Sequence, residues 1–236
     1  MLPRIALFIP CFVDQMCPQV GVDMVRVLRR IGCEVFFPED QTCCGQPAFN
    51  TGYWEDARLV AERFLRVFEK AEVVVGPSGS CVAMVRKFYP ELLPHAEGLA
   101  KFYEFSEFLT KVAKVEDVGA AFSHRVTLHD SCHALRELGV HDGPRQLLKR
   151  VRGLEFVEMD HADDCCGFGG TFSVKFGMIS AAMGDTKTEN AAATGAEFVT
   201  SVDPSCLMHL DGMLRQKKSP MQAIHLASIL ASEARA

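Results

Sequence analysis

Apolar residues along the chain fall into two textures: short unbroken runs, and longer stretches with an apolar residue every third or fourth position. The runs are Ile5-Ala6-Leu7-Phe8-Ile9, Glu34-Val35-Phe36-Phe37, Val73-Val74-Val75, Val126-Thr127-Leu128, Glu155-Phe156-Val157 and Phe198-Val199-Thr200. Their length and β-branched content predict buried strands. Between them, Val20, Met24, Val27, Leu28 and Ile31 share one helical face, with Asp23, Arg26 and Arg30 away from it. Ala57, Val60, Ala61, Phe64, Val67 and Phe68 do the same within 54–70. Further on, Pro144 suits a first helical position ahead of Leu147, Leu148 and Val151, and a helix is expected from about Ser173 to Thr194, ending at Gly195. Gly32 and Gly153 punctuate the first helix of each series.

The elements occur twice in the same order. Each series opens with a run that ends on a lone cysteine, Cys11 or Cys132. It passes through a helix and a short strand to a doublet, Cys43-Cys44-Gly45 or Cys165-Cys166-Gly167, then through another helix and strand to Cys81 or Cys206. The first gaps are 31 and 32 residues and the second are 36 and 39, so the landmarks match to within a few positions. The ends match in kind as well, Phe105–Leu109 against Ile224–Leu230. Internal repetition of alternating strands and helices predicts an α/β protein: two duplicated, Rossmann-like parallel halves related by pseudo-two-fold symmetry. The halves are expected at 1–115 and 120–236, with the joint near Lys111 to Ser123. In such folds ligands gather at the C-terminal ends of strands, which is where the cysteines fall.

Composition narrows the chemistry. With 48% hydrophobic residues in 236, the chain can bury one large core or two compact ones. A formal charge of −5 and the absence of any block of Lys and Arg argue against nucleic-acid binding. The opening apolar run is too short for a signal core or a membrane span, so a cytoplasmic protein without direct membrane insertion is expected. Ten cysteines in a reducing compartment point to metal binding or redox chemistry rather than to disulfides.

Soft thiolates select zinc, copper(I) or iron–sulfur clusters. Structural zinc sites carry short paired knuckles, which this sequence lacks. Four cysteines arriving from three separate loops suit a larger cluster, so Cys11, Cys43, Cys44 and Cys81 form one candidate site and Cys132, Cys165, Cys166 and Cys206 the other. Glycine after each doublet permits the sharp turn that lets adjacent cysteines face one centre. Gly79, Ser80, Gly167, Gly169 and Gly170 are candidates to bring backbone N–H groups to sulfur. Helix N-termini after Cys81 and Cys206 would favour thiolate charge.

Histidines supply the remaining candidates. His209 lies three residues past Cys206, a ligand-like spacing, and is the foremost possible nitrogen ligand. His129 and His133 flank Cys132 and are candidates for ligation or for carrying protons. His225 is expected on an apolar helix face as a packing residue. Cys33 is expected to be buried and inert, and Cys17 to be a loop thiol. No nucleotide-binding fingerprint and no hydrolytic constellation is present.

These residues resemble the cysteine-rich CCG domain family, shared by heterodisulfide reductase, by the iron–sulfur subunits of glycolate oxidase and anaerobic glycerol-3-phosphate dehydrogenase, and by proteins of lactate utilisation. Pro77-Ser78-Gly79-Ser80-Cys81 and Cys165-Cys166-Gly167-Phe168-Gly169-Gly170-Thr171-Phe172 look like the lactate-utilisation branch. The chain is expected to be the duplicated unit alone, with no ferredoxin-type cysteine run before it. The resemblance implies an oxidoreductase subunit that carries electrons in the oxidation of L-lactate to pyruvate. It also implies a ferredoxin-like iron–sulfur partner and a third subunit. In the CCG-bearing chain of heterodisulfide reductase the last motif is Cys-x-x-Cys, giving five thiolates per site; here Met84 and His209 stand at the fifth positions. One 4Fe–4S cluster on four cysteines in each half, two per chain, is therefore expected. The alternatives are a glycolate oxidase-type or heterodisulfide reductase-like redox subunit, and a zinc-binding cysteine scaffold for partner assembly.

Overall fold

The computed structural model describes residues 3–233. Among the described residues, eight strands form two separate four-stranded sheets, both entirely parallel. The first contains β1 (Ile5–Leu7), β2 (Val35–Phe36), β3 (Val73–Gly76) and β4 (Phe102–Glu104), in the spatial order β2-β1-β3-β4. The second contains β5 (Arg125–Leu128), β6 (Glu155–Phe156), β7 (Phe198–Ser201) and β8 (Gln222–His225), in the order β6-β5-β7-β8. Register repeats with order: Leu7 pairs with Val75, and Leu128 with Thr200. The expected α/β fold of two similar halves is thus present.

Helices form where the apolar spacing requires them, at Pro18–Arg30, Trp54–Val67 and Asp142–Lys149. Pro144 is the third helical residue of the last, not the first, because the helix starts two residues earlier behind His141. The stretch expected as one helix from Ser173 to Thr194 is two, Thr171–Lys175 and Gly177–Ala193, broken where Phe176 leaves helical geometry at φ −127° and ψ 49°. Strands β4 and β8 are not anticipated by the apolar pattern. Each runs straight into a helix, and residues 222–225 lack any alternation to distinguish strand from helix.

The same difference moves His225. It is not on a helix face but ends β8 and caps the helix Leu226–Ala231, its Nδ1 accepting from the Ala227 N–H at 3.1 Å. Glu104 ends β4 in the same way, its carboxylate accepting from the N–H groups of Ser106 and Glu107.

The halves are clamped at two places. Helix Leu226–Ala231 lies against Pro18–Arg30, where the Arg30 guanidinium donates to the carbonyls of Val118, Leu230 and Ala231. At the other clamp, the loops that follow β3 and β7 meet. The Gly79 N–H donates to the Val202 carbonyl at 3.2 Å and the Ser80 N–H to Asp203 Oδ2 at 2.6 Å. A Cβ on Gly79 would stand 2.5 Å from Ala134 Cβ, so only glycine allows this approach.

Candidate metal centre

All four cysteines of each half lie in loops or helix starts at the C-terminal edge of its sheet. Cys11 and Cys132 are the first residues of the helices Cys11–Met16 and Cys132–Leu138, which follow β1 and β5. Cys81 and Cys206 are each the third residue of the helices that follow β3 and β7. Both of those helices are capped by the side chain three residues before the cysteine: Ser78 Oγ accepts from the Cys81 N–H, and Asp203 accepts from the Ser205 N–H at 3.1 Å.

The doublets sit on left-handed glycines, Gly45 at φ +81° and Gly167 at φ +91°. The turn folds each glycine N–H back onto the first cysteine of its doublet, at 3.4 Å from Cys43 Sγ and 3.4 Å from Cys165 Sγ. A Cβ at Gly167 would lie 2.5 Å from the Ser180 carbonyl oxygen, so the second doublet requires glycine sterically as well as conformationally.

The eight cysteines of both quartets line one cavity of about 90 Å³. Because the clamp at Gly79 and Asp203 sets the two sheet edges face to face, the quartets share a floor instead of lying at separate ends of the molecule. Phe12 and Phe168, one from each half, also line the cavity and meet edge-on at 5.7 Å between ring centroids. The cysteines are free thiols.

Contacts among the sulfurs polarise each quartet. Cys11 Sγ donates to Cys43 Sγ at 3.6 Å. Hydrogen bonds from Cys11 and then Cys44 hold the Cys43 thiol far below its ordinary range, at about 3. Cys132 and then Cys166 do the same for Cys165, at about 2. The donors are raised in turn, Cys11 and Cys132 chiefly by that hydrogen bond and then by burial. Within each quartet the first cysteine of the doublet is the one favoured as thiolate, and a bound cation would favour deprotonation of the others. Four thiols in reach of one another, with backbone N–H support for one thiolate, fit a soft, thiolate-bound metal centre.

The backbone N–H groups expected to reach sulfur divide by half. Gly79 and Ser80 direct theirs across the clamp to Val202 and Asp203, because the docking of the second half takes them first. In the second half the Gly167 N–H reaches Cys165 Sγ, whereas Gly169 and Gly170 line the cavity without a hydrogen bond from their N–H groups to sulfur.

Among the histidines, His209 does not enter the cavity. Its Nε2 sits 3.4 Å from the Ser180 carbonyl, over Gly184, because the helix Pro204–Gln216 points that face at its neighbour Gly177–Ala193. His133 lines the cavity with Nδ1 3.6 Å from Cys132 Sγ. His129 is wholly buried, and burial, followed by the nearby Lys187 ammonium, lowers it to about 3. Met84 is wholly buried in the apolar core and Cys33 nearly so, whereas Cys17 lies outside the cavity with its thiol toward the Phe12 carbonyl.

Three positions that support the site carried little signal in the sequence. Asp203 spans the halves; the motif Asp-Pro-Ser-Cys, a helix-capping pattern, could have flagged it as a cap but not as a bridge. Tyr89 is buried and donates to the Cys44 carbonyl at 3.0 Å. Gln41 accepts from the Ile9 N–H at 2.7 Å and donates to the Leu7 carbonyl, bracing the strand that delivers Cys11.

Comparison with known proteins agrees with this geometry. The CCG cysteine-rich domain family matches residues 5–86 and 126–211. The chain is 45% identical to lactate utilization protein A of Bacillus licheniformis, over 97% of this chain and 99% of that one. It is 46% identical to lactate utilization protein A of Bacillus subtilis, with the same coverage. Among solved structures, a hypothetical protein from Helicobacter pylori superposes with a TM-score of 0.65 at 11% identity; it matches 97% of this chain, which spans only 48% of that one. That likeness concerns the fold.

Proposed function

The chain belongs to the CCG cysteine-rich domain family, and on that premise we propose that it is the iron–sulfur subunit of a lactate-utilisation system, carrying electrons in the oxidation of L-lactate to pyruvate. The observation that carries this reading is the convergence of eight cysteines on one cavity. Cys11, Cys43, Cys44 and Cys81 would hold one 4Fe–4S cluster and Cys132, Cys165, Cys166 and Cys206 a second. Such clusters supply one-electron transfer.

The chain's own groups do the rest. Cys43 and Cys165 would provide the first thiolates, the N–H groups of Gly45 and Gly167 would hold them, and Phe12 and Phe168 add apolar surface to the cavity wall. Oxidation of lactate releases two electrons and two protons, whereas an iron–sulfur cluster passes one electron at a time, so a substrate-oxidising partner is part of the proposal. A ferredoxin-like iron–sulfur subunit and a third subunit fit that need. Among the described residues no helix is long and apolar enough to cross a membrane.

One distance favours a second reading. The 3.6 Å between Cys11 Sγ and Cys43 Sγ is close to the edge, about 3.8 Å, of a tetrahedron with zinc–sulfur bonds of about 2.3 Å. Anaerobic reconstitution with iron and sulfide in the presence of equimolar zinc separates the two. The iron–sulfur reading expects about eight irons per chain and a broad visible absorption that bleaches on reduction. Stoichiometric zinc, with no iron retained, would replace it by the zinc scaffold.

A further inference from the structure

His129 is a buried polar side chain whose nearest backbone acceptor, the Ala162 carbonyl, lies outside ordinary hydrogen-bond geometry. It is fully shielded from solvent, and neither ring nitrogen has a hydrogen bond. One ligand atom of its ring and the sulfurs of Cys166 and Cys206 all lie within 4.8 Å of one another. Buried polar atoms without partners are rare because the lost hydration is not recovered, and one aimed at thiols invites a metal in between.

The fold does not need a nitrogen at this position. In the first half the same place is taken by Phe8, three residues before Cys11 as His129 is three before Cys132. Their backbones are equivalent: the Phe8 N–H donates to the Val75 carbonyl at 2.9 Å and the His129 N–H to the Thr200 carbonyl at 2.8 Å. Phe8 packs its ring edge-on against Phe64 and Phe68 and leaves nothing polar unpaired. An aromatic ring fills the space equally well, so the imidazole answers a chemical need and not a packing one.

We propose that His129 is a nitrogen ligand to the metal centre of the second half, taking the position of one of its four thiolates, so that the first half holds an all-thiolate centre and the second a mixed thiolate and imidazole centre. This rests on the iron–sulfur reading above and revises its ligand set for the second half. Neutral imidazole suits iron as well as zinc and adds no negative charge to the site. The two centres then differ chemically although the backbones that hold them match.

The test uses full-length protein labelled with [15N]histidine, reconstituted anaerobically in a Cys44→Ser background so that the second centre dominates. Pulsed EPR of the reduced centre is expected to show the strong hyperfine coupling of a directly bonded 15N. That coupling is expected to persist in His133→Ala and to vanish in His129→Phe, which copies the first half. Absence of strong 15N coupling in the labelled parent, which needs no change at His129, would overturn the proposal, as would its survival in His129→Phe. Iron and sulfide analysis of the same samples separates the two levels. Full iron without histidine coupling defeats only this inference, and no iron uptake defeats the iron–sulfur reading with it.

Discussion

The two halves share a sheet order but differ in the side chains directly behind their cysteines. Behind the first quartet, Phe8, Phe64, Phe68, Phe102 and Tyr89 form a cluster of aromatic rings packed edge-on or tilted. Behind the second, the buried side chains include Thr127, His129, Lys187 and Thr200. Corresponding caps differ in the same sense. Ser78 caps within its own half, whereas Asp203 caps its helix with one carboxylate oxygen and grips the Ser80 N–H of the other half with the second. Duplication therefore preserved what sets the loops, while the side chains beneath them diverged. The first quartet is backed by aromatic rings, and the second by polar side chains.

The largest effect expected from breaking this comparison is on metal content. Cys44→Ser and Cys166→Ser are each expected to lower reconstituted iron from about eight to about four per chain, each removing a different EPR signal. If either substitution emptied both sites, the quartets would form one shared centre in their common cavity, not two.

The unequal caps come next. Asp203→Ala removes a helix cap and a charged hydrogen bond across the clamp, and is expected to cost on the order of 3 kcal/mol in urea unfolding. Ser78→Ala removes a cap only and is expected to cost about 1 kcal/mol. Equal losses would mean that Asp203 does not hold the halves together.

A pair of opposed pH responses in the metal-free protein, smaller than the loss expected for Asp203→Ala, completes the comparison. Burial raises Glu104 to about 7 from the ordinary carboxylate value. Its protonated form is favoured by folding, so its contribution to stability is complete below about pH 4.5 and is lost as pH rises to about 7. Burial lowers His225 to about 4, and its contribution is complete above about pH 6.5 and is lost as pH falls to about 4. His129, lowered to about 3, acts in the same direction as His225. Glu104→Gln is expected to flatten the loss of stability toward neutral pH and His225→Asn to reduce the loss toward acid, each on the order of 2 kcal/mol. Thermal unfolding between pH 4 and 8 measures both, and a parallel shift at every pH would contradict the assignment.

Much of this was readable from one dimension. Both sets of strands that deliver cysteines are unbroken apolar runs, and the helices Pro18–Arg30 and Trp54–Val67 follow from apolar spacing alone. The three-residue strand β4 and the four-residue β8 were not readable, because such short strands take their identity from a paired neighbour and not from periodicity. The break at Phe176 was hidden for a related reason: no proline marks it, and the residue is helical by neighbourhood until the chain turns over the second doublet.

What the residues settle by themselves is local: which segments are strand or helix, that the pattern occurs twice, and that a glycine follows each cysteine doublet. Those follow from propensity, burial and backbone freedom, which act over a few positions. Tertiary structure alone decided that the two quartets open into one cavity, that Gly79 and Ser80 turn their N–H groups to the other half, that His209 packs against a helix, and that His129 rests unpaired beside Cys166 and Cys206. Each of these depends on how elements distant in sequence dock, a contact between residues more than a hundred positions apart in some cases, such as Ser80 and Asp203. No spacing rule along the chain carries that distance.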